Sequence, residues 1–155
     1  MDVPALVARK VAPRHEVAAV LLVEEPHAKV APGRVGPDDF DLVELHDATA
    51  PEELFALESL GFFQLGEAGP ATEAGHTGVD TPGLVVNSSG GLVGRGHPLG
   101  ATGLAQVVEL ATQFRGRAGG RQVDGARLGL AVNTGGIIEG DAGFIGIHAV
   151  RAGSS

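Results

Sequence analysis

Every position of Val17-Ala18-Ala19-Val20-Leu21-Leu22-Val23 is apolar. So short and β-branched a run predicts a strand buried on both faces, closed by Pro26 and followed by a loop over Pro32–Pro37. Phe40 to His46 alternates apolar and polar residues over its middle and predicts a second strand. Thr49 then stands as a helix N-cap, with Pro51 and the acidic Glu52 and Glu53 in the first turn. Leu54, Leu57 and Leu60 recur at helical spacing, and Gly61 closes the helix as its C′ residue. From Gly66 to Gly103 the chain is rich in Gly, Pro, Ser and Thr, which predicts a long loop with a short strand at Leu84–Val86. A second helix begins near Pro98 and spans Leu99–Arg117. Its apolar face is Leu104, Val107, Val108, Ala111 and Phe114, with Arg115 and Arg117 in the last turn and Gly119-Gly120 as the break. Two more strands follow, Ala126–Val132 and Ala142–Val150, joined by a tight Gly turn at Asn133-Thr134-Gly135-Gly136. This order predicts an α/β layered domain with a mixed sheet packed with helices, not a pure βαβ series.

Composition narrows the function classes. The chain has 155 residues, is 43% hydrophobic, and has six Phe but no Trp or Tyr, so its core must be built from Val, Leu, Ile and Ala. A net charge of −8 makes it a poor ligand for nucleic acid or an anionic membrane, where Lys and Arg must neutralise phosphates. No stretch approaches the roughly 18 apolar residues of a membrane span. Met1 to His15 lacks the apolar centre and cleavage site of a secretory signal, so the expected location is cytoplasmic. The absence of cysteine excludes disulfides and thiolate metal sites within the chain. His15, His27, His46, His76, His97 and His148 include no i, i+4 pair, so no metal site is expected.

Three segments carry candidate chemistry. In Glu44-Leu45-His46-Asp47-Ala48, His46 ends a strand just before a helix; it either faces a cleft or forms with Asp47 a capping pair that organises a turn. The second segment runs from Asn87-Ser88-Ser89-Gly90-Gly91 through Gly94-Arg95-Gly96-His97-Pro98-Leu99-Gly100 to Gly103. Its glycines allow close backbone approach to a ligand, and His97 stands at a helix entry, where the dipole disfavours an imidazolium and so suits a base. It matches neither the Walker A nor the dinucleotide fingerprint. The third, Asn133-Thr134-Gly135-Gly136, is either a plain hairpin or a turn presenting backbone N–H groups to an oxyanion.

Together, and in this order, these segments resemble the thiolase family, especially its sterol-carrier-protein-2-type and related bacterial members. The resemblance covers roughly Asp38 to Val150 and, more loosely, the first strand. Gly-His-Pro-Leu-Gly-Ala-Thr-Gly at Gly96–Gly103 is its most specific part, followed by Asp41–Ala48. It implies a thiolase-like layered half-domain over residues 38–155, with 1–37 as a residual strand and loop of an N-terminal half, shortened relative to the family. It also implies roles. His97 would activate a nucleophilic cysteine and help bind the thioester oxygen. His46 would help position a catalytic water in an oxyanion hole, and Gly135 and Gly136 would line a second one. Asn87, Gly90, Gly91, Gly96 and Gly100 would form the substrate loop.

Two departures matter. The family's nucleophilic cysteine lies in the N-terminal half, and no residue here can form a thiolate. Asn133 stands where the family's C-terminal turn cysteine would be, a cysteine that some sterol-carrier-type members also lack. The implied chemistry is thiolysis of a 3-oxoacyl-CoA or the reverse Claisen condensation, with coenzyme A or acyl-CoA as substrate, not bound cofactor. The expected partners are a second copy, a thiolase N-terminal half or an OB-fold chain. The alternatives are a non-catalytic acyl-CoA-binding or assembly subunit, and a thiolase-like aldolase subunit, which the absence of tyrosine weighs against.

Overall fold

The computed structural model describes residues 19–24, 35–138 and 141–153. Val17, Ala18, Pro26 and the first half of the loop expected at Pro32–Pro37 lie outside them, as do most of residues 1–37. Among the described residues five strands, β1 (Ala19–Glu24), β2 (Leu42–Glu44), β3 (Val85–Val86), β4 (Leu128–Ile138) and β5 (Asp141–Arg151), form one sheet in the order β1-β5-β4-β2-β3. β4 and β5 are antiparallel; every other pairing is parallel. The sheet is therefore mixed, as the element order predicts.

Helices cover both faces. Leu57 of α1 (Ala50–Ser59) and Ala68 of α2 (Ala68–Glu73) pack with Val43, Leu45, Leu130 and Val132. On the opposite face α4 (Thr102–Phe114) sets Leu110 against Leu42, Val85, Ala131 and Val150. Alternation along β2 and β4 divides the core: Val43, Leu130 and Val132 point one way, Leu42 and Ala131 the other. The Asp41 carboxylate joins the starts of the two strands, accepting the N–H groups of Arg127 (2.7 Å) and Leu128 (2.8 Å).

The local signals around α1 hold. Thr49 is its N-cap, and Glu52 reaches back to the Thr49 N–H at 2.8 Å. The helix ends in a Schellman motif: Phe62 N–H donates to Leu57 O, Gly61 N–H to Glu58 O, and Gly61 has φ +84°.

Five expectations need correction. The segment 66–103 is not one long loop, because it contains α2, β3 and α3 (Gly91–Arg95). The second major helix begins at Thr102, since Pro98 to Ala101 forms a turn with Gly100 at φ +84°. It ends at Phe114, and Gly116, not Gly119-Gly120, supplies its C′ residue, with Arg117 N–H donating to Thr112 O. Its buried face is Thr102, Gln106, Glu109, Leu110 and Gln113, while Leu104 and Val108 are exposed. Finally, Asn133–Gly136 is no turn between strands: it lies inside β4, opposite β5. The ladder skips Gly136, whose φ of +68° interrupts an otherwise continuous strand.

Candidate active site

β2 ends beside the turn that follows β3, because the two strands are parallel neighbours. The chemistry-bearing segments therefore meet at one edge of the sheet. His46, just past β2, and His97, between α3 and α4, pack edge to face with ring centroids 4.9 Å apart and planes at 89°. His46 is half-buried and His97 exposed. Burial pulls the His46 pKa below its ordinary 6.5 and the neighbouring His97 adds to this, while Glu52 and Asp47 oppose it. The environment of His46 therefore favours the neutral imidazole. The His97 Nδ1 lies 2.7 Å from the hydroxyl of Thr102, the first residue of α4.

The residues around the pair clamp the glycine segment to the end of β2. Asn87, at φ +49°, accepts the Leu45 N–H at Oδ1 (2.7 Å) and donates from Nδ2 to Glu53 Oε2 (2.6 Å). Burial raises the Glu53 pKa despite that bond. Asp47 accepts the N–H of Leu92 at 2.6 Å and, more weakly, that of Val93 at 3.5 Å. It is therefore a capping residue, but for α3 rather than for the helix that follows it in sequence. Gly91 is required by this cap: a Cβ there would lie 2.0 Å from Asp47 Oδ2. Gly90, Gly96 and Gly100 are exposed, each at positive φ, and they shape the segment's turns without a close neighbour in the way.

Beneath this surface lies a buried polar network that the alternating pattern hid. Leu42, Val43 and Glu44 are all buried, so β2 is not a half-solvated strand. The Glu44 carboxylate accepts the Ser89 N–H (3.0 Å) and the hydroxyls of Ser88 (3.1 Å) and Ser89 (2.5 Å). Burial raises its pKa above 4.5; the serine hydrogen bonds lower it but do not prevail, and Glu109 adds to the rise. Burial also pushes the Glu109 pKa upward, but the hydrogen bonds of Arg121 and Gln113 outweigh it and leave the value lowered. Arg121 grips Glu109 at 3.1 and 2.9 Å. Gln113 links Ser88, Glu109 and the Arg121 carbonyl.

The third segment reaches the site at one point. The Asn133 amide would contact a Cβ placed on Gly103 at 3.4 Å, next to Thr102. Gly135 and Gly136 lie farther along β4 with open space beside them. Asp47 was expected only as a turn-capping partner of His46, and Glu44 and Thr102 were given no role of their own within their segments. The one signal was a charged residue amid Leu42, Val43 and Leu45, where a solvated side chain is out of place. Among the described residues no three His, Asp or Glu side chains converge as a metal ion requires, and no helix is long and apolar enough to cross a membrane.

The mixed α/β fold is the one implied by the sequence resemblance. The model of thiolase C-terminal domain-like proteins matches residues 17–145. The chain belongs to that family. It is 52% identical over 103 residues to an acetyl-CoA acetyltransferase of Methanothermobacter thermautotrophicus, covering 66% of this chain and 27% of that protein. It is 48% identical over 101 residues to sterol carrier protein 2 of Rattus norvegicus, covering 65% of this chain and 18% of that protein. Among solved structures it resembles the Ltp2-ChsH2(DUF35) aldolase with a TM-score of 0.55 and 26% identity, over 63% of this chain and 24% of that one. The chain thus spans about a quarter or less of each of these proteins.

Proposed function

We propose that this chain provides the C-terminal catalytic elements for acyl transfer on a coenzyme A thioester, by thiolysis of a 3-oxoacyl-CoA or the reverse condensation. The contact between His46 and His97 carries the reading: two imidazoles from distant segments share one sheet edge. His97 takes the proton of a cysteine thiol. In thiolysis the thiolate attacks the 3-oxo carbonyl, the C2–C3 bond breaks, C2 leaves as the enolate of acetyl-CoA and is protonated, and the coenzyme A thiol then takes the acyl group from the cysteine; in condensation the thiolate attacks the thioester carbonyl and coenzyme A leaves as its thiol. The same imidazole, now protonated, hydrogen-bonds the carbonyl oxygen as charge develops on it. His46, whose neutral form burial favours, orients a water toward that oxygen. Asn133, Gly135 and Gly136 are assigned to the second oxyanion position. The clamped segment Asn87–Gly100 receives the acyl-CoA.

The cysteine comes from outside these 155 residues, which contain none. An N-terminal thiolase half is the partner that supplies it, and the relatives' acetyl-CoA acetyltransferase name supports that choice. The test uses acetoacetyl-CoA and coenzyme A. The chain alone is expected to turn over below about 1 s⁻¹, the low end of ordinary enzyme rates, while addition of a cysteine-bearing half restores thiolysis. His97→Ala in the restored enzyme should lower kcat by about 10²-fold or more, the scale of losing a positioned base. Near-full activity of a folded His97→Ala variant overturns the assignment.

A second reading has its own support. The likeness to an Ltp2-ChsH2(DUF35) aldolase favours a thiolase-like aldolase subunit. The absence of tyrosine for proton transfer weighs against it. Cleavage of a β-hydroxyacyl-CoA with no cysteine-bearing half present would select it.

A further inference from the structure

We propose that Thr102 is a positioning residue that holds neutral His97 in its Nδ1–H form and leaves Nε2 as the ring nitrogen with the free lone pair. The inference concerns the same site as the proposed function, and its functional meaning rests on that reading, but the tautomer is measurable without it. Thr102 is buried at 2% exposure. Its hydroxyl oxygen lies 2.7 Å from His97 Nδ1 and 3.2 Å from the Pro98 carbonyl oxygen. A hydroxyl has one proton to give and two lone pairs to accept with. The Pro98 carbonyl accepts only, so that contact uses the Thr102 proton. The Nδ1 contact is then a hydrogen bond only if the proton on it belongs to the ring.

The opposite tautomer fails this count. With the ring proton on Nε2, one hydroxyl proton faces two acceptors, and one close contact is left with no hydrogen in it. What that form loses is the hydroxyl's bond to Pro98, which becomes an oxygen–oxygen contact at 3.2 Å with no hydrogen between the two acceptors. The carbonyl is itself held in place, because it also accepts the N–H groups of Ala101 (2.9 Å) and Thr102 (3.1 Å). The β-branched side chain has few rotamers at the start of a helix, which limits escape by rotation.

The arrangement Nδ1–H to Oγ1–H to O=C is also polarised in the useful direction. When Nε2 takes a proton, the Nδ1–H becomes a stronger donor into the same chain, and neither the hydroxyl nor the carbonyl has to reorient. His97 can therefore change charge at Nε2 without reorganising its support. A purely structural Thr102 would do no more than bond Pro98 at the turn before α4.

Two-bond 1H–15N correlation spectra of the whole 15N-labelled chain decide between these, recorded about 1.5 pH units above the ordinary histidine value of about 6.5. His97 is expected to show a protonated Nδ1 and a bare Nε2, and Thr102→Ser to show the same pattern. Thr102→Val keeps the shape and removes the hydroxyl; it is expected to return His97 to the Nε2–H form that free imidazole side chains prefer. Wild-type His97 in the Nε2–H form, or an unchanged tautomer in the valine variant, overturns the proposal. Should the valine variant not fold, the wild-type and serine spectra still decide, since both must show Nδ1–H. Failure of the restored enzyme to turn over, with the Nδ1–H pattern intact, would count against the proposed function and not against the role of Thr102.

Discussion

Glu44 and Glu109 are two carboxylates joined through one serine hydroxyl, yet burial and partners drive them in opposite directions. Glu109 has a guanidinium against it; Glu44 has only hydroxyls and one N–H. Their signs in a pH titration of stability follow. The Glu44 value is raised in the folded state, so its contribution is full below about 4.5 and is lost as pH rises through the folded value. The Glu109 value is lowered, so its contribution is present above 4.5 and is lost as pH falls through the folded value. Glu44→Gln is expected to flatten the decline in urea midpoint on the alkaline side of pH 4.5, and Glu109→Gln to remove a loss on the acid side. An unchanged profile in either variant would contradict the corresponding environment. His46 adds a third, independent readout at this scale. Its NMR titration midpoint should fall below 6.5, and His97→Ala should move it back upward, because the second imidazole contributes to lowering it.

Among the elements, the segment from Asn87 to Arg95 shows how glycines and one carboxylate set a site. Gly90 and Gly91 both have positive φ, at 89° and 61°, so an alanine at either costs about 1–2 kcal/mol of backbone strain. They differ in what a Cβ meets: at Gly90 the nearest atom is 3.8 Å away, at Gly91 it is Asp47 Oδ2 at 2.0 Å. Gly91→Ala must therefore also displace the α3 cap, and a total of about 2–4 kcal/mol is expected. Denaturant unfolding of the two variants isolates the Asp47 contribution; equal losses would show that the cap yields freely. Gly129→Ala tests the other side of the sheet, where a Cβ would stand 2.7 Å from Leu110 Cδ2, and about 1–3 kcal/mol of overpacking is expected.

What the sequence made legible follows the range of the forces involved. α1 was readable because its signals are local: Thr49, Pro51, Glu52 and Gly61 act within one turn of themselves. The motif glycines and both histidines were legible as a group, and β2 and β3 bring them to one edge. The face of α4 was legible only in part. Of the expected apolar positions Val107 and Phe114 pack on the core, but Leu104 and Val108 are exposed, and the buried side also carries Gln106, Glu109 and Gln113. Those polar side chains are buried because distant partners satisfy them: Gln106 donates to Val132 O at 3.0 Å, Glu109 meets Arg121, and Gln113 accepts the Val123 N–H at 2.8 Å. Gln106 and Val132 are 26 residues apart, and the pairs of Glu109 and Gln113 form only because the chain turns back on the end of α4. The Asn133–Gly136 segment was misread for a similar reason, since its strand character depends on pairing with β5 and its glycines alone suggest a turn.

For the molecule taken whole, the residues displaced from the core mark a second surface. Leu104 and Val108 are one helical turn apart on the outer side of α4, 68% and 54% exposed. Val93 and Leu99, on either side of His97 in sequence, are 69% and 84% exposed. If the proposed function holds, these exposed apolar side chains are candidates for the contact with the cysteine-bearing half, because the thiol must arrive beside His97. Burying each such side chain contributes about 1.5–3 kcal/mol, so two of them account for a large part of a micromolar affinity of about 8 kcal/mol. The double variant Leu104→Asp, Val108→Asp changes only exposed positions and should leave the unfolding midpoint close to wild type. Its affinity for the cysteine-bearing half, measured by calorimetry, should fall by about 10²-fold or more, the equivalent of some 2.7 kcal/mol. On its own the wild-type chain is expected to self-associate in sedimentation through the same apolar face, and the aspartate variant to remain monodisperse. Unaltered binding in a folded double variant would place the partner on another face and separate the docking surface from the His97 side of the sheet.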